Sequence, residues 1–404
     1  MNTEQTTIPA VRARWLALRD ELRQMRQNES LRRSVEARAD LCRMGVAMAF
    51  SHELPRNTVV RIADQANRRH YLHNRIFREL DIREPFDMEG REHLDAALLA
   101  GQGAIIVPAH FGRYRSIPQA LFDIGLSVTL LVDAPNTTVL SSMVQMDAWQ
   151  QSFVGTGPES FAVVSSRDVC SLWSLARALA AGRVVIAFAD GNSGINGYAH
   201  DRGSIYLPFL SRTISARTGI AALAVHANVP MIPVRARERA GRPPLLCFYP
   251  PIRAENHEDK TTFRERGTRA LYKWLEKCIR ESPSHWEEWS TFTRWVIPTS
   301  LVNETRMAPV LVPQALPALA GKFLTIAGPY YWVSSTRGTR AVFDVERLQC
   351  VSDDQHMVDL VLAAESGTGA LEWANRYANS AFALDVLARA IAGGIVTLTR
   401  RGIA

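Results

Sequence analysis

The chain lacks any long apolar run. No stretch reaches the roughly 18 apolar residues that a membrane-crossing helix needs, and the nearest candidate, residues 44–50 (MGVAMAF), is far shorter. A charged segment followed by an apolar one, the mark of a secretory signal, is also missing from the N-terminus. The expected location is therefore cytoplasmic, with at most peripheral contact at the inner membrane. Cysteine is scarce and scattered: Cys42, Cys170, Cys247, Cys278 and Cys350, five in 404 residues. An odd number at these spacings speaks against a disulfide framework and against a metal site, and fits a reducing compartment. Neither a metal nor a tightly bound cofactor is expected. No basic stripe is interleaved with stacking aromatics, which sets nucleic acid aside as a partner. Internal repeats and low-complexity tracts are absent as well.

What is present is enough apolar material, 47% of residues, for a large globular core. The net charge of +7 favours anionic partners such as a membrane surface, a phosphorylated cofactor or an acidic carrier protein.

The chain is organised around residues 104–115, AIIVPAHFGRYR. Its apolar start reads as a buried strand bounded by Gly103 and Pro108, and it delivers His110 onto a turn. Before it, residues 10–27, 31–52, 59–80 and 89–99 read as helices. After it, helices are expected at 116–122, 139–153, 167–180, 218–227 and 262–282. Strands are expected at 127–132, 161–166, 183–190, 230–235 and 245–249. Helices alternating with short apolar strands imply an α/β fold with a mainly parallel sheet flanked by helices. Ligands in such sheets sit beyond the carboxyl ends of the strands. His110, Asp133 and Asp190 each follow such an end and are expected to line one crevice.

Residues 298–321 are proline-rich and read as a linker between a domain at 1–297, with a helical N-terminal region, and a small domain at 322–404. In the latter, strands at 323–327, 330–334 and 341–344 precede helices at 355–364, 368–377 and 381–391 and a last strand at 395–399. That order suggests a small α+β winged-helix-like module.

Four ordered segments carry a resemblance: EGREHLDAALLAGQGAIIVPAHFG, ALAAGRVVIAFADGNSG, YLPFLSRTISARTGIAALAVHANVPMIPVRARE and PSHWEEWSTFTRW. Over roughly residues 60–297 the chain resembles the bacterial lipid A late acyltransferases of the lysophospholipid acyltransferase superfamily. The resemblance implies a glycerolipid acyltransferase-like sheet. It also implies transfer of an acyl group from a carrier-protein or coenzyme A thioester to a hydroxyl or amine, with His110 as general base. Asp190 matches the Asp of the family's Asp-Gln pair, while Gly191 replaces the Gln.

In that family the histidine is followed, after four residues, by an acid; here the position holds Arg115, whose charge disfavours an imidazolium. Three explanations stand open. The acid comes from another strand end, Asp190 first and Asp133 second; or His110 serves an intrinsically nucleophilic amine without a dyad; or the site retains binding alone. Arg113 and Arg115 suit a phosphate or carboxylate through bidentate contacts, with Arg167 and Arg202 as further anion contacts. The Gly112 amide suits an oxyanion, and Asn192 completes the substrate-binding candidates.

The expected acceptor is a small molecule or peptide of specialised metabolism and not lipid A, and the expected partner is an acyl or peptidyl carrier protein. The small domain suits a grip on such a partner, or a structural or dimerisation role. The rivals are a non-catalytic protein that binds an acyl chain or carrier, a peripheral-membrane lipid acyltransferase, and a hydrolase in which water replaces the acceptor.

Overall fold

The computed structural model describes residues 29–50, 52–79, 86–99, 101–133, 161–192, 203–239, 242–297, 316–327, 331–336, 339–346, 349–377, 379–392 and 395–400. The helices expected at 10–27 and 139–153, Arg202, and most of the 298–321 linker lie outside them.

The described residues form two compact units: one within 65–288 and 294–296, the other within 29–64, 289–293, 297 and 316–400. The first holds a seven-stranded sheet in the order β1-β9-β8-β2-β5-β3-β4. β2 (Ala104–Gly112), β3 (Val128–Val132), β4 (Phe161–Ser165), β5 (Val184–Ile186) and β8 (Met231–Arg237) are mutually parallel. β9 (Leu245–Phe248) runs antiparallel to β8, and β1 (Asp87–Glu89) runs parallel to β9. The mainly parallel α/β architecture expected from the alternating pattern is therefore the one observed.

β2 reads as an unbroken apolar run because both of its faces are covered, as central parallel strands require. Ala104 and Ile106 pack with helices Glu92–Leu99 and Ile117–Asp123. Ile105 and Val107 face the other way, toward helices Ser171–Ala180, Gly219–Ala227 and Lys260–Glu281. The last of these starts at Asp259, whose carboxylate caps it by accepting from the Thr261 and Thr262 amides at 2.9 and 3.0 Å.

Three features differ from the sequence reading. The segment 183–190 is a strand only over Val184–Ile186, after which the chain leaves the ladder toward Asp190. The expected helix at 89–99 begins at Glu92, because residues 87–89 are used as edge strand β1. An antiparallel hairpin of β6 (Ser204–Phe209) and β7 (Arg212–Arg217) was not read from the sequence. Its strands alternate exposed and buried positions only irregularly, so the period-2 signal is weak.

The second unit is α+β. β10 (Lys322–Ile326) pairs with β14 (Val396–Arg400), and β11 (Tyr331–Thr336), β12 (Thr339–Asp344) and β13 (Gln349–Ser352) form a three-stranded antiparallel sheet. Helices Gln355–Glu365, Ala370–Ala374 and Ser380–Ala392 share its core, with Trp373 and Leu360 fully buried. Helix Glu29–Phe50 packs on β11 and so groups with this unit rather than with the sheet domain to which a boundary at 298 assigns it. Its apolar end explains the choice: Gly45 lies so close to the Trp289 carbonyl that a Cβ there would stand 2.1 Å from the oxygen. Among the described residues no helix is long and apolar enough to cross a membrane.

Candidate active site

His110 leaves the sheet through a distortion. Pro108 pairs with Val234 of β8 and Gly112 with Ala236, so four steps on β2 oppose two on its neighbour. Such a bulge re-aims side chains at the end of a strand, and here it carries residues 109–111. The turn depends on Gly112, whose φ is +61° and where an added Cβ would lie 2.4 Å from the Ala236 carbonyl oxygen.

Asp190 follows β5, the neighbour of β2 on the other side, and its side chain is fully buried. Its carboxylate accepts from the His110 main-chain amide at 2.9 and 3.1 Å, from the His110 ring at Nδ1 at 2.9 Å, and from the Trp286 indole at 2.7 Å. The His110 ring stacks on Phe188, with centroids 4.5 Å apart, and meets Tyr114 edge-on at 4.8 Å. Trp286 is itself wedged against Phe209 and Trp295. The imidazole is thus held in one plane. With Nδ1–H directed at Asp190, Nε2 is the basic nitrogen, and among the described residues it has no hydrogen-bond partner. The side chain keeps 24% of its surface exposed.

Burial works against a charge on this ring. The charges of Asp190 and Glu288 and the Asp190 hydrogen bond outweigh burial and a smaller opposing effect of Arg115, and raise the imidazole to about 9.

A second cluster adjoins the first. The Glu287 carboxylate accepts from both Arg115 guanidinium nitrogens at 3.0 Å, from Nδ1 of His70 and of His73 at 2.9 Å, and from the Tyr114 hydroxyl at 3.3 Å. His73 reaches on through Nε2 to Glu238 at 2.9 Å. Both ring nitrogens of His73 therefore face carboxylates, and only the doubly protonated ring donates to both. Arg69 pairs with Glu238, and Arg113 stands 3.9 Å from it. Burial alone would lift the Glu287 carboxyl; the Arg115 charge and the hydrogen bonds from His70 and His73 hold it well below the usual carboxylate range. Glu238 is likewise held low, against burial, by the bond from His73 and the charges of His73, Arg69 and Arg113.

The structure brings His110 and Asp190 together and disperses the other candidates. Arg115 is committed to Glu287, so the cation at the position of the family's acid is paired where it stands. Arg113 faces Glu238. Asp133 and Arg167 form an ion pair at the ends of β3 and β4, with Nε–Oδ1 at 2.6 Å. Asn192 is buried and braces β7, donating to the Ser215 carbonyl and accepting from the Arg217 amide at 2.9 Å. Trp286, Glu287, Glu288, His70, His73 and Glu238 were not among the candidates. Two signals for them exist in the sequence: paired acids between tryptophans in WEEW, and two histidines three apart on one helix face.

A mainly parallel α/β sheet with a buried carboxylate–imidazole pair near its strand ends is an arrangement that suits ligand binding at that edge and general-base chemistry. The chain belongs to the bacterial lipid A biosynthesis acyltransferase family, whose model matches residues 72–290, more than half of its length. This span contains the whole described site except Arg69, His70 and Trp295. No curated protein matches the chain.

Proposed function

We propose that the protein transfers an acyl group from a carrier-protein or coenzyme A thioester to a hydroxyl or amine acceptor, with His110 as general base and Asp190 as its orienting acid. The observation that carries this reading is the 2.9 Å bond between Nδ1 and Asp190, which leaves Nε2 to take a proton. The acceptor oxygen or nitrogen attacks the thioester carbonyl as its proton passes to Nε2. The new C–O or C–N bond forms, the C–S bond breaks, and the imidazolium returns the proton to the departing thiolate. Asp190 stabilises the imidazolium, the role left open when Arg115 replaced an acid.

Because the ring is raised to about 9 in the free protein, it is mostly protonated at neutral pH. Turnover is therefore expected to rise with pH up to that value. A small-molecule or peptide acceptor of specialised metabolism and an acyl or peptidyl carrier partner complete the proposal, with the second unit as a winged-helix-like grip on that partner. Assay of His110→Ala with labelled acyl carriers tests the reading. Loss of transfer supports it; full turnover, or transfer-independent carrier binding as the sole activity, overturns it.

A further inference from the structure

Three consecutive residues converge on the catalytic pair from a segment far along the chain. Trp286 donates its indole N–H to Asp190 at 2.7 Å, the Glu287 amide donates to the His110 carbonyl at 2.9 Å, and a Glu288 oxygen lies 3.9 Å from Nδ1 of His110. The main chain of His110 is consequently held at both polar atoms: Asp190 accepts from its N–H, and the Glu287 amide donates to its carbonyl. An antiparallel bridge between Phe111 and Trp286 continues the contact.

What locates this segment is the Glu287 carboxylate, which takes hydrogen bonds from His70, His73, Tyr114 and, twice, Arg115. We propose that Glu287 is a positioning residue for the reaction assigned to His110: it anchors the 286–288 segment over the histidine and cancels the field of Arg115 at the imidazole.

The charges that decide this come from every element around the ring. Asp190 follows β5, Arg115 and the neutral Tyr114 follow β2, and Glu288 lies on the anchoring segment itself. Behind Glu287 stand His70 and His73, and behind them Arg69, Arg113 and Glu238. Arg115 opposes a proton on His110; a carboxylate bound to both its nitrogens screens that effect. Removing either member of the pair therefore moves His110 in opposite directions, which a purely mechanical brace would not do.

The test is NMR titration of the histidine rings in the full-length protein, with His110→Asn to assign the resonance. Glu287→Gln is expected to lower the His110 midpoint, and Arg115→Gln to raise it, each by about one pH unit. The double variant Arg115→Gln/Glu287→Gln removes both charges and is expected to titrate near wild type. An unchanged midpoint in folded Glu287→Gln, or shifts of the same sign in the two single variants, overturns the proposal. If Glu287→Gln does not fold, Arg115→Gln and the double variant decide: a midpoint that fails to rise in the first overturns it.

The inference rests on the acyl-transfer reading for the identity of the reaction, but the titration does not. Full transfer by His110→Ala together with opposite shifts would strike the reaction and leave Glu287 in place. Loss of transfer with no shifts would do the reverse.

Discussion

Two buried carboxylates, Asp190 and Glu287, each accept a hydrogen bond from a histidine, yet they put those histidines to different uses. Asp190 binds one ring nitrogen of His110 and takes its remaining bonds from uncharged donors, a main-chain amide and an indole. The other nitrogen of that ring has no hydrogen-bond partner among the described residues, and a quarter of the side chain reaches solvent. Glu287 sits among His70, His73, Arg115 and Tyr114, and a second carboxylate, Glu238, takes up the far nitrogen of His73. One cluster leaves a ring nitrogen for proton exchange, whereas the other spends its donors on internal charge balance.

The strongest way to break this comparison is to delete a histidine from each side. His110→Ala is expected to reduce transfer per folded molecule by about 10²- to 10⁴-fold, and to lower stability as well because the buried Asp190 loses its ring partner. His73→Ala leaves Glu287 and Glu238 each short of a buried partner and is expected to cost about 3–5 kcal/mol of stability, with turnover per folded molecule much less affected. Activity assays paired with denaturant unfolding separate the two; matching profiles would erase the distinction.

Next in size is the carboxylate of the first pair. Asp190→Asn removes the charge that favours the imidazolium. The His110 titration is expected to fall from about 9 toward the ordinary 6.5, and kcat/KM to drop by about a hundredfold as the base weakens. Trp286→Phe keeps the ring packing but deletes one donor to Asp190, costing about 2 kcal/mol for a hydrogen bond to a charge.

Stability against pH sharpens the contrast because the two clusters have opposite signs. The raised His110 contributes stability that is complete below about 6.5 and lost as pH rises through about 9. The depressed Glu287 and Glu238 contribute stability that is complete above their ordinary 4.5 and lost as pH falls through their lower folded values. Unfolding titrations on the acid and alkaline sides should show the alkaline loss vanish in His110→Asn, with the acid loss retained.

The smallest effect is a control. Arg167→Ala breaks an ion pair whose side chains are about a third exposed, so it should change stability by less than about 1 kcal/mol and leave the His110 titration unmoved.

Much of this architecture was legible before any coordinates. The run AIIVPAHFG is apolar at successive positions because β2 is covered on both faces, and burial of that kind leaves its mark in the residues themselves. The placement of His110 near the carboxyl end of β2 and of Asp190 beyond β5, and most of the helices of both units, could be read from periodicity and from the glycines and prolines that punctuate it, although β2 runs on through His110 to Gly112 where a turn was expected. The hairpin β6–β7 escaped because its alternation is irregular, and helix Glu29–Phe50 was placed with the wrong neighbours because an apolar face does not name what it packs against.

The sequence by itself determined the parallel sheet, the position of His110 at its carboxyl edge, and a short list of acids. Only the tertiary structure decided that Asp190 is the acid beside His110, that Asp133 belongs to Arg167, and that Arg115 is answered by Glu287, 172 residues away. The reason is physical. Periodicity and turn chemistry act between residues a few positions apart and are written locally. The pairing of charges across a sheet depends on strand order and on where distant segments cross, and no local pattern records that.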